Sequence, residues 1–366
     1  MLIAIVGAGV MGLSAAWALS RDGHQVTVFE QGPVPNPLGS SVDRHRLIRH
    51  AYGAATGYAR LVVDAYAAWD RLWADLGVAH YVPTGTLIAA NGSGRWAEDS
   101  ARCLEAMGIA VAPLDRKAVT RRWPFLDASS MTGAFHTAAG GVLLADRIVR
   151  SLAGNLEARG GTIARNTPVR AIDIDAGRIE LDDGTVVVAD HIVVAAGPWV
   201  ARLLPSLSQR VTASRQVLAY LEAPAALAAA WRDAPMVVDI GDGNGVYLVP
   251  PVAGTPLKVG DHVFSMSGDP NADRTPRKDE VAKVLDQCGL RLRDFADYRV
   301  IESRTCFYTV ADNEQFVLEP LSERLWVMTG FSGHGFKFSA LMGELVADAL
   351  AGRRAATEVS AIAAGH

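Results

Sequence analysis

At 366 residues, half of them hydrophobic, the chain is long for one domain and natural for two, each with a sizeable core. A formal charge of −4 and a pI near 6.1, with no long basic run, argue against a nucleic-acid partner and leave small molecules as the expected ones. The three cysteines, Cys103, Cys288 and Cys306, contain no CxxC pair, so neither a disulfide framework nor a metal site is expected.

The chain opens on an apolar run, 2–6, suited to a buried parallel strand. Gly7-Ala8-Gly9-Val10-Met11-Gly12 follows, then an alanine-rich helical pattern over 13–20 and a second apolar run, 26–29, ending in Glu30. This is the strand, glycine turn, helix, strand, acid order of a dinucleotide-binding βαβ unit. Gly7 allows the tight exit from the strand, Gly9 lets the backbone approach a pyrophosphate, and Gly12 lets the helix pack on the sheet. The helix N-terminus offers free N–H groups to phosphates, and Glu30 can accept from ribose hydroxyls. NAD and FAD both use such a unit, so later stretches must decide between them. Residues 2–20 carry no charge but lack a basic region before them, so they read as folded core rather than a leader or a membrane span. A cytoplasmic protein is expected.

Gly32, Pro33, Pro35, Pro37 and Gly39-Ser40-Ser41 mark a loop. Residues 43–50 pack six ionisable side chains into eight positions, which by composition alone fits a solvated helix face. An amphipathic helix is expected over 58–76, with Leu61, Ala65, Trp69 and Trp73 on one buried face. Strands are expected at 85–89 and 134–136, helices at 95–107 and 147–159, and a meander at 169–175, 178–181 and 185–189 joined by glycine turns. A buried strand at 191–196 ends in Gly197, which suggests a second edge of the cofactor site. Residues 206–304 look β-rich with one charged helix at 278–288, and the tail 325–352 reads as strand, glycine loop, helix. The dinucleotide domain is therefore expected to be discontinuous, at 1–80, 140–205 and 305–366, with 81–139 and 206–304 forming the second domain.

Arg46-Leu47-Ile48-Arg49-His50-Ala51-Tyr52-Gly53, Cys306-Phe307-Tyr308-Thr309 and the loop Gly330-Phe331-Ser332-Gly333-His334-Gly335-Phe336-Lys337-Phe338-Ser339 together closely resemble the monomeric sarcosine oxidase family, within the glycine oxidase and D-amino acid oxidase group of flavoproteins. The resemblance covers nearly the whole chain. It implies an α/β fold with a Rossmann-type FAD-binding domain and a second α+β substrate domain carrying a large mixed sheet. It also implies FAD, attached covalently through a thioether between Cys306 and the flavin 8α-methyl group; such a bond needs a thiolate nucleophile. Cofactor contacts are expected at Gly7, Gly9, Met11, Gly12, Glu30, Val169, Gly197, Cys306, Gly333, Gly335, Phe336 and Lys337.

By the same resemblance Lys258, in Leu257-Lys258-Val259-Gly260-Asp261-His262, sits over the flavin ring, where an ammonium stabilises negative charge developing on oxygen. Arg49 and Lys337 match the pair that holds the substrate carboxylate, a role suited to the guanidinium fork. Arg46 matches the arginine against the flavin, His262 lines the amine side, and Tyr247 and Tyr308 match aromatic residues of the wall. One departure stands out: the family usually has histidines after the Gly-Ser pair, whereas Ser41 and Val42 stand there and His45 comes later.

The implied reaction is oxidation of a secondary-amine amino acid, sarcosine or a related N-methyl amino acid. The imine is hydrolysed to an aldehyde and an amine, and O2 becomes hydrogen peroxide. Within the family the rival is an oxidase for a cyclic or bulkier amino acid such as pipecolate or N-methyltryptophan. An NAD-dependent dehydrogenase shares the opening motif but leaves Cys306 and the 330–339 loop unexplained, and a non-catalytic nucleotide-binding module needs no cationic constellation. A monomer is expected from the resemblance.

Overall fold

The computed structural model describes residues 1–240, 245–272 and 274–366. Leu2–Val6 is buried on both faces beyond its first residue and lies in the middle of a six-stranded sheet. The sheet runs Val317–Ser322, Leu325–Thr329, His191–Val194, Leu2–Val6, Gln25–Phe29, Thr162–Ala164, and all pairs are parallel except the first. Strands buried on both sides require covers on both sides. One cover is helical: Val10–Arg21, Ala145–Ala158 and Ser339–Leu350 share a core with Ile3, Ile5, Val26 and Val193. Val10–Arg21 and Ser339–Leu350 meet closely because Gly343 has no side chain; a Cβ there would strike the Ser14 carbonyl. The other cover is the antiparallel meander Val169–Asp173, Arg178–Leu181, Val186–Val188, whose Ile179 and Leu181 pack on Ala4, Val6, Ile192 and Val194.

Thr56–Leu76 buries Leu61, Ala65 and Trp69 as its apolar spacing requires, and half-buried Trp73 stacks on Trp69 at 4.8 Å. It stops at Gly77, whose φ of 69° suits glycine.

The second large sheet has eight strands in the order Arg299–Ala311, Val211–Glu222, Leu257–Asp261, Gly245–Val249, Met236–Ile240, Thr86–Ala90, Gly133–Thr137, Ala112–Leu114. It is antiparallel except where Met236–Ile240 meets Thr86–Ala90. Arg299–Ala311 pairs with Val211–Glu222 along its length, so one strand runs across the boundary expected at 304/305 and carries Cys306 within this sheet. A fourth, three-stranded sheet runs Arg46–Ile48, Gly141–Leu143, Tyr81–Val82.

The charged run at 43–50 departs from the solvated helix its composition suggests. Arg46–Ile48 is a strand, and Asp43, His45, Ile48 and His50 are all buried. Among the described residues no helix is long and apolar enough to cross a membrane, and no group of His, Cys, Asp or Glu could hold a metal ion.

Candidate functional site

The glycine turn shapes a cleft at the C-terminal ends of the central strands. Gly7 has a φ of +105°, and a Cβ there would lie 2.5 Å from the Ala195 carbonyl oxygen. A Cβ on Gly12 would strike the Gly7 carbonyl, so only glycine lets the helix sit this near the turn. Helix Val10–Arg21 has no cap of its own; Ser41 Oγ accepts from the Val10 N–H at 2.9 Å instead. Buried Glu30 is fixed by three donors, the Ala8 N–H at 2.8 Å, the Gly32 N–H at 3.1 Å and Asn36 Nδ2 at 2.8 Å.

The cleft encloses about 420 Å³, and Gly7, Gly9, Met11, Glu30, Val169, Gly197, Tyr308, Gly333, Gly335, Phe336 and Arg46 line it. Gly12 stands behind the turn as a packing residue. Cys306 does not line the cleft, and Lys337 lines its neighbour.

That neighbour is a cavity of about 800 Å³ sharing Arg46, Tyr308, Gly333 and Phe336 with the cleft. Arg49, Tyr247, Lys258, His262 and Lys337 also line it, so the expected substrate-side residues meet in one place. Arg49 is held between aromatic rings, 4.9 Å from the Tyr52 centroid and 5.5 Å from that of Trp96. Its Nη1 is buried and has no hydrogen-bond partner among the described residues. Lys337, 4% exposed, donates to Tyr52 Oη at 2.8 Å and to the His334 carbonyl at 2.9 Å. Among the described residues neither cation has a carboxylate partner. Burial, then the nearby Arg49 charge, holds the Lys337 ammonium well below its ordinary pKa. The same two causes push His262 down to about 3, which leaves its imidazole neutral. Tyr247 crosses the face of Gly260, where a Cβ would strike its ring, and Tyr308 lies likewise against Gly333, whose Cβ would come 2.6 Å from it. Burial raises the phenol pKa of both.

Lys258, 3% exposed on Leu257–Asp261, makes an ion pair with buried Asp43. The same carboxylate receives the Arg46 guanidinium and the Tyr220 hydroxyl, and the Arg44 N–H at 2.7 Å. Asp43 has no counterpart among the residues picked out from sequence; the available signal was an acid inside a run of arginines and histidines. Burial pushes Lys258 down to about 8 against the opposing pull of Asp43. His45 turns away from both cavities to Pro256 O, 3.1 Å from Nε2, and burial followed by the Lys258 charge lowers it to about 4. Cys306 pairs across the sheet with Gln216 and is 9% exposed. Burial raises its thiol pKa, although Arg46 and Lys258 pull the other way, so the thiolate expected from sequence is disfavoured at rest.

A glycine-shaped dinucleotide cleft opening on a buried cationic cavity defines a nucleotide-dependent oxidoreductase. The chain belongs to the FAD dependent oxidoreductase family (DAO), which it matches over residues 3–349. It is 28% identical over 366 residues to monomeric sarcosine oxidase of Bacillus sp. (strain B-0618), covering 96% of this chain and 92% of that one. It is 28% identical over 349 residues to N-methyl-L-tryptophan oxidase of Yersinia pestis (strain Pestoides F), covering 94% and 93%. Among solved structures, NikD, an unusual amino acid oxidase essential for nikkomycin biosynthesis, matches with a TM-score of 0.82 at 19% identity, over 97% of this chain and 94% of that one. Glycine oxidase from Geobacillus kaustophilus matches with a TM-score of 0.80 at 21% identity, over 96% and 94%. The structural likenesses establish the fold. With FAD set by the family, the NAD-dependent alternative falls away. The cleft fits that cofactor: a side chain at Gly7 or Gly12 would collide with the backbone of the turn, and a Cβ at Gly9 would meet only Ser41 Oγ, at 3.1 Å, leaving the backbone open to a pyrophosphate.

Proposed function

We propose that the protein oxidises sarcosine or a related N-methyl amino acid to an imine. Water hydrolyses the imine to an aldehyde and an amine, and O2 is reduced to hydrogen peroxide. The observation that carries this reading is the pair of cations, Arg49 and Lys337, that have no carboxylate partner among the described residues, in a cavity that shares its wall with the FAD cleft. An α-carboxylate supplies the missing anion, and the guanidinium can meet both of its oxygens. When bound in the cleft, FAD would supply the two-electron redox chemistry that links amine oxidation to reduction of O2.

Arg49 and Lys337 fix the carboxylate, which sets the position of the carbon to be oxidised. Neutral His262 offers an uncharged nitrogen on the amine side, and the cationic wall favours an amine that has lost its proton. Arg46 reaches the shared wall and Lys258 the cavity, where an ammonium stabilises charge developing on oxygen. Tyr247 and Tyr308 are the aromatic wall. Cys306 is the attachment point for a covalent flavin thioether, and its neighbours Arg46 and Lys258 favour the thiolate that attachment needs. The enzyme acts as a cytoplasmic monomer, in line with its monomeric relative.

A second reading is a bulkier N-methyl or cyclic amino acid, such as N-methyltryptophan or pipecolate. The size of the cavity, about 800 Å³, and its Trp96 and Ile240 wall favour it. Peroxide release measured with sarcosine, N-methyltryptophan and pipecolate in parallel tests both readings. Turnover of sarcosine supports the first, turnover of only the larger acids the second, and failure of all three refutes the class.

A further inference from the structure

We propose that Asp43 is a positioning residue for the oxygen step: its carboxylate gathers the Lys258 ammonium and the Arg46 guanidinium into one buried cluster and keeps Lys258 charged where oxygen is reduced. This rests on the reading of Lys258 given above.

The geometry is that of a saturated carboxylate. Lys258 and Arg46 share Oδ2, while the Tyr220 hydroxyl and the Arg44 N–H share Oδ1. Asp43 and Lys258 are each 3% exposed, and Tyr220 is fully buried. Four donors on a buried carboxylate hold it in one orientation. Lys258, by contrast, has few partners. Beyond Asp43, among the described residues, it reaches the His45 carbonyl, at 3.4 Å, with the Tyr247 ring centroid 5.6 Å away.

Among the described residues, the other ionisable groups around Lys258 are Arg46, Cys306, Tyr247, His45 and Tyr220, which pairs with it across the sheet. Burial keeps Cys306 and Tyr247 protonated and His45 neutral, and Arg46 repels a second cation. Among the described residues Asp43 is thus the anion that offsets the desolvation of Lys258. Two cations and one anion leave the cluster with a net positive charge beside the cleft. The carboxylate comes from the loop ahead of Arg46–Ile48 and the ammonium from the eight-stranded sheet, so the pair also ties the two walls of the site together.

Removing the charge while keeping the shape tests this. In the FAD-loaded protein labelled at lysine Nζ, with the Lys258 signal assigned by its loss in Lys258→Met, Asp43→Asn lowers the titration midpoint of Lys258 by at least about one pH unit. The pH profile of reoxidation by O2 shifts to lower pH by the same amount. Tyr220→Phe, which keeps the carboxylate, leaves the midpoint in place. A merely structural Asp43 would change thermal stability without moving the midpoint. An unmoved midpoint overturns the proposal, and so does a moved midpoint with an unmoved oxygen profile. If Asp43→Asn does not fold, the unsubstituted protein suffices: Lys258 must give a protected ammonium signal at neutral pH that couples to the Asp43 carboxylate, and its absence overturns the pairing. Both titrations are read without amine substrate, so they stand apart from which amine is oxidised.

Discussion

Replacing Arg49 by methionine deletes a buried guanidinium and leaves an apolar side chain of similar length. With Nη1 unpartnered, the fork is free to donate two bonds to a carboxylate. Hydrogen bonds to charged groups contribute about 1.5–3 kcal/mol each, so two amount to roughly 3–6 kcal/mol. Arg49 is half-buried with its Nη1 shielded from solvent before substrate arrives, and Lys337 remains to attract the anion, so part of that sum is offset. A net loss of about 2.7–4 kcal/mol remains, roughly 100- to 1000-fold in Kd. The assay is titration of the visible flavin spectrum with a carboxylate that carries no oxidisable amine, alongside its uncharged amide. The variant should bind the acid at least about 100-fold more weakly and the amide about equally. Loss of the aromatic contacts to Tyr52 and Trp96 offsets relief from burying a lone charge, so Tm should shift little. An acid Kd changed by less than about threefold, under 0.7 kcal/mol, would refute the placement of the carboxylate at Arg49.

The other expectations concern the cofactor and oxygen. Lys258→Met should slow reoxidation by O2 by about 100-fold or more, as loss of one preorganised donor does elsewhere, while anaerobic reduction by substrate stays within a few-fold; stopped-flow separates the two. Because Lys258 is cationic below about 8 and neutral above, reoxidation should fall as pH rises through about 8, whereas His262, neutral above about 3, should add no inflection between pH 5 and 9. Gly12→Ala should destabilise the protein by about 1–3 kcal/mol or more and lower its FAD content, since the added methyl meets the rigid Gly7 carbonyl; calorimetry and flavin absorbance read both. With Cys306→Ser, acid precipitation should leave the yellow colour in the supernatant, while the parent protein should carry it into the pellet.

How far the sequence reached depended on how local each signal was. The βαβ unit is a contiguous pattern of residue types, so Gly7, Gly12 and Glu30 could be read directly, although the carbonyl that forbids a side chain at Gly7 belongs to distant Ala195. Arg49, Lys337 and the pair Lys258 and His262 are far apart in the chain, and only family resemblance joined them; the structure puts all four around one cavity. The run 43–50 misled by composition: charge density reads as solvation, yet Asp43 is buried because Lys258 and Tyr220 arrive from strands some two hundred residues on. Long-range pairing also hid the extent of Arg299–Ala311. Its register against Val211–Glu222 makes one strand of what composition divided at 304/305.

The central claim is that this FAD protein oxidises an amino acid at the carbon beside a methylated nitrogen. The most direct measurement is the absorption spectrum of the purified protein, recorded anaerobically before and after adding sarcosine, then N-methyltryptophan. The account predicts a yellow protein whose band near roughly 450 nm bleaches with an N-methyl amino acid and returns when air is admitted, because the cofactor carries the redox chemistry. A yellow protein that stays oxidised with every N-methyl amino acid would contradict it.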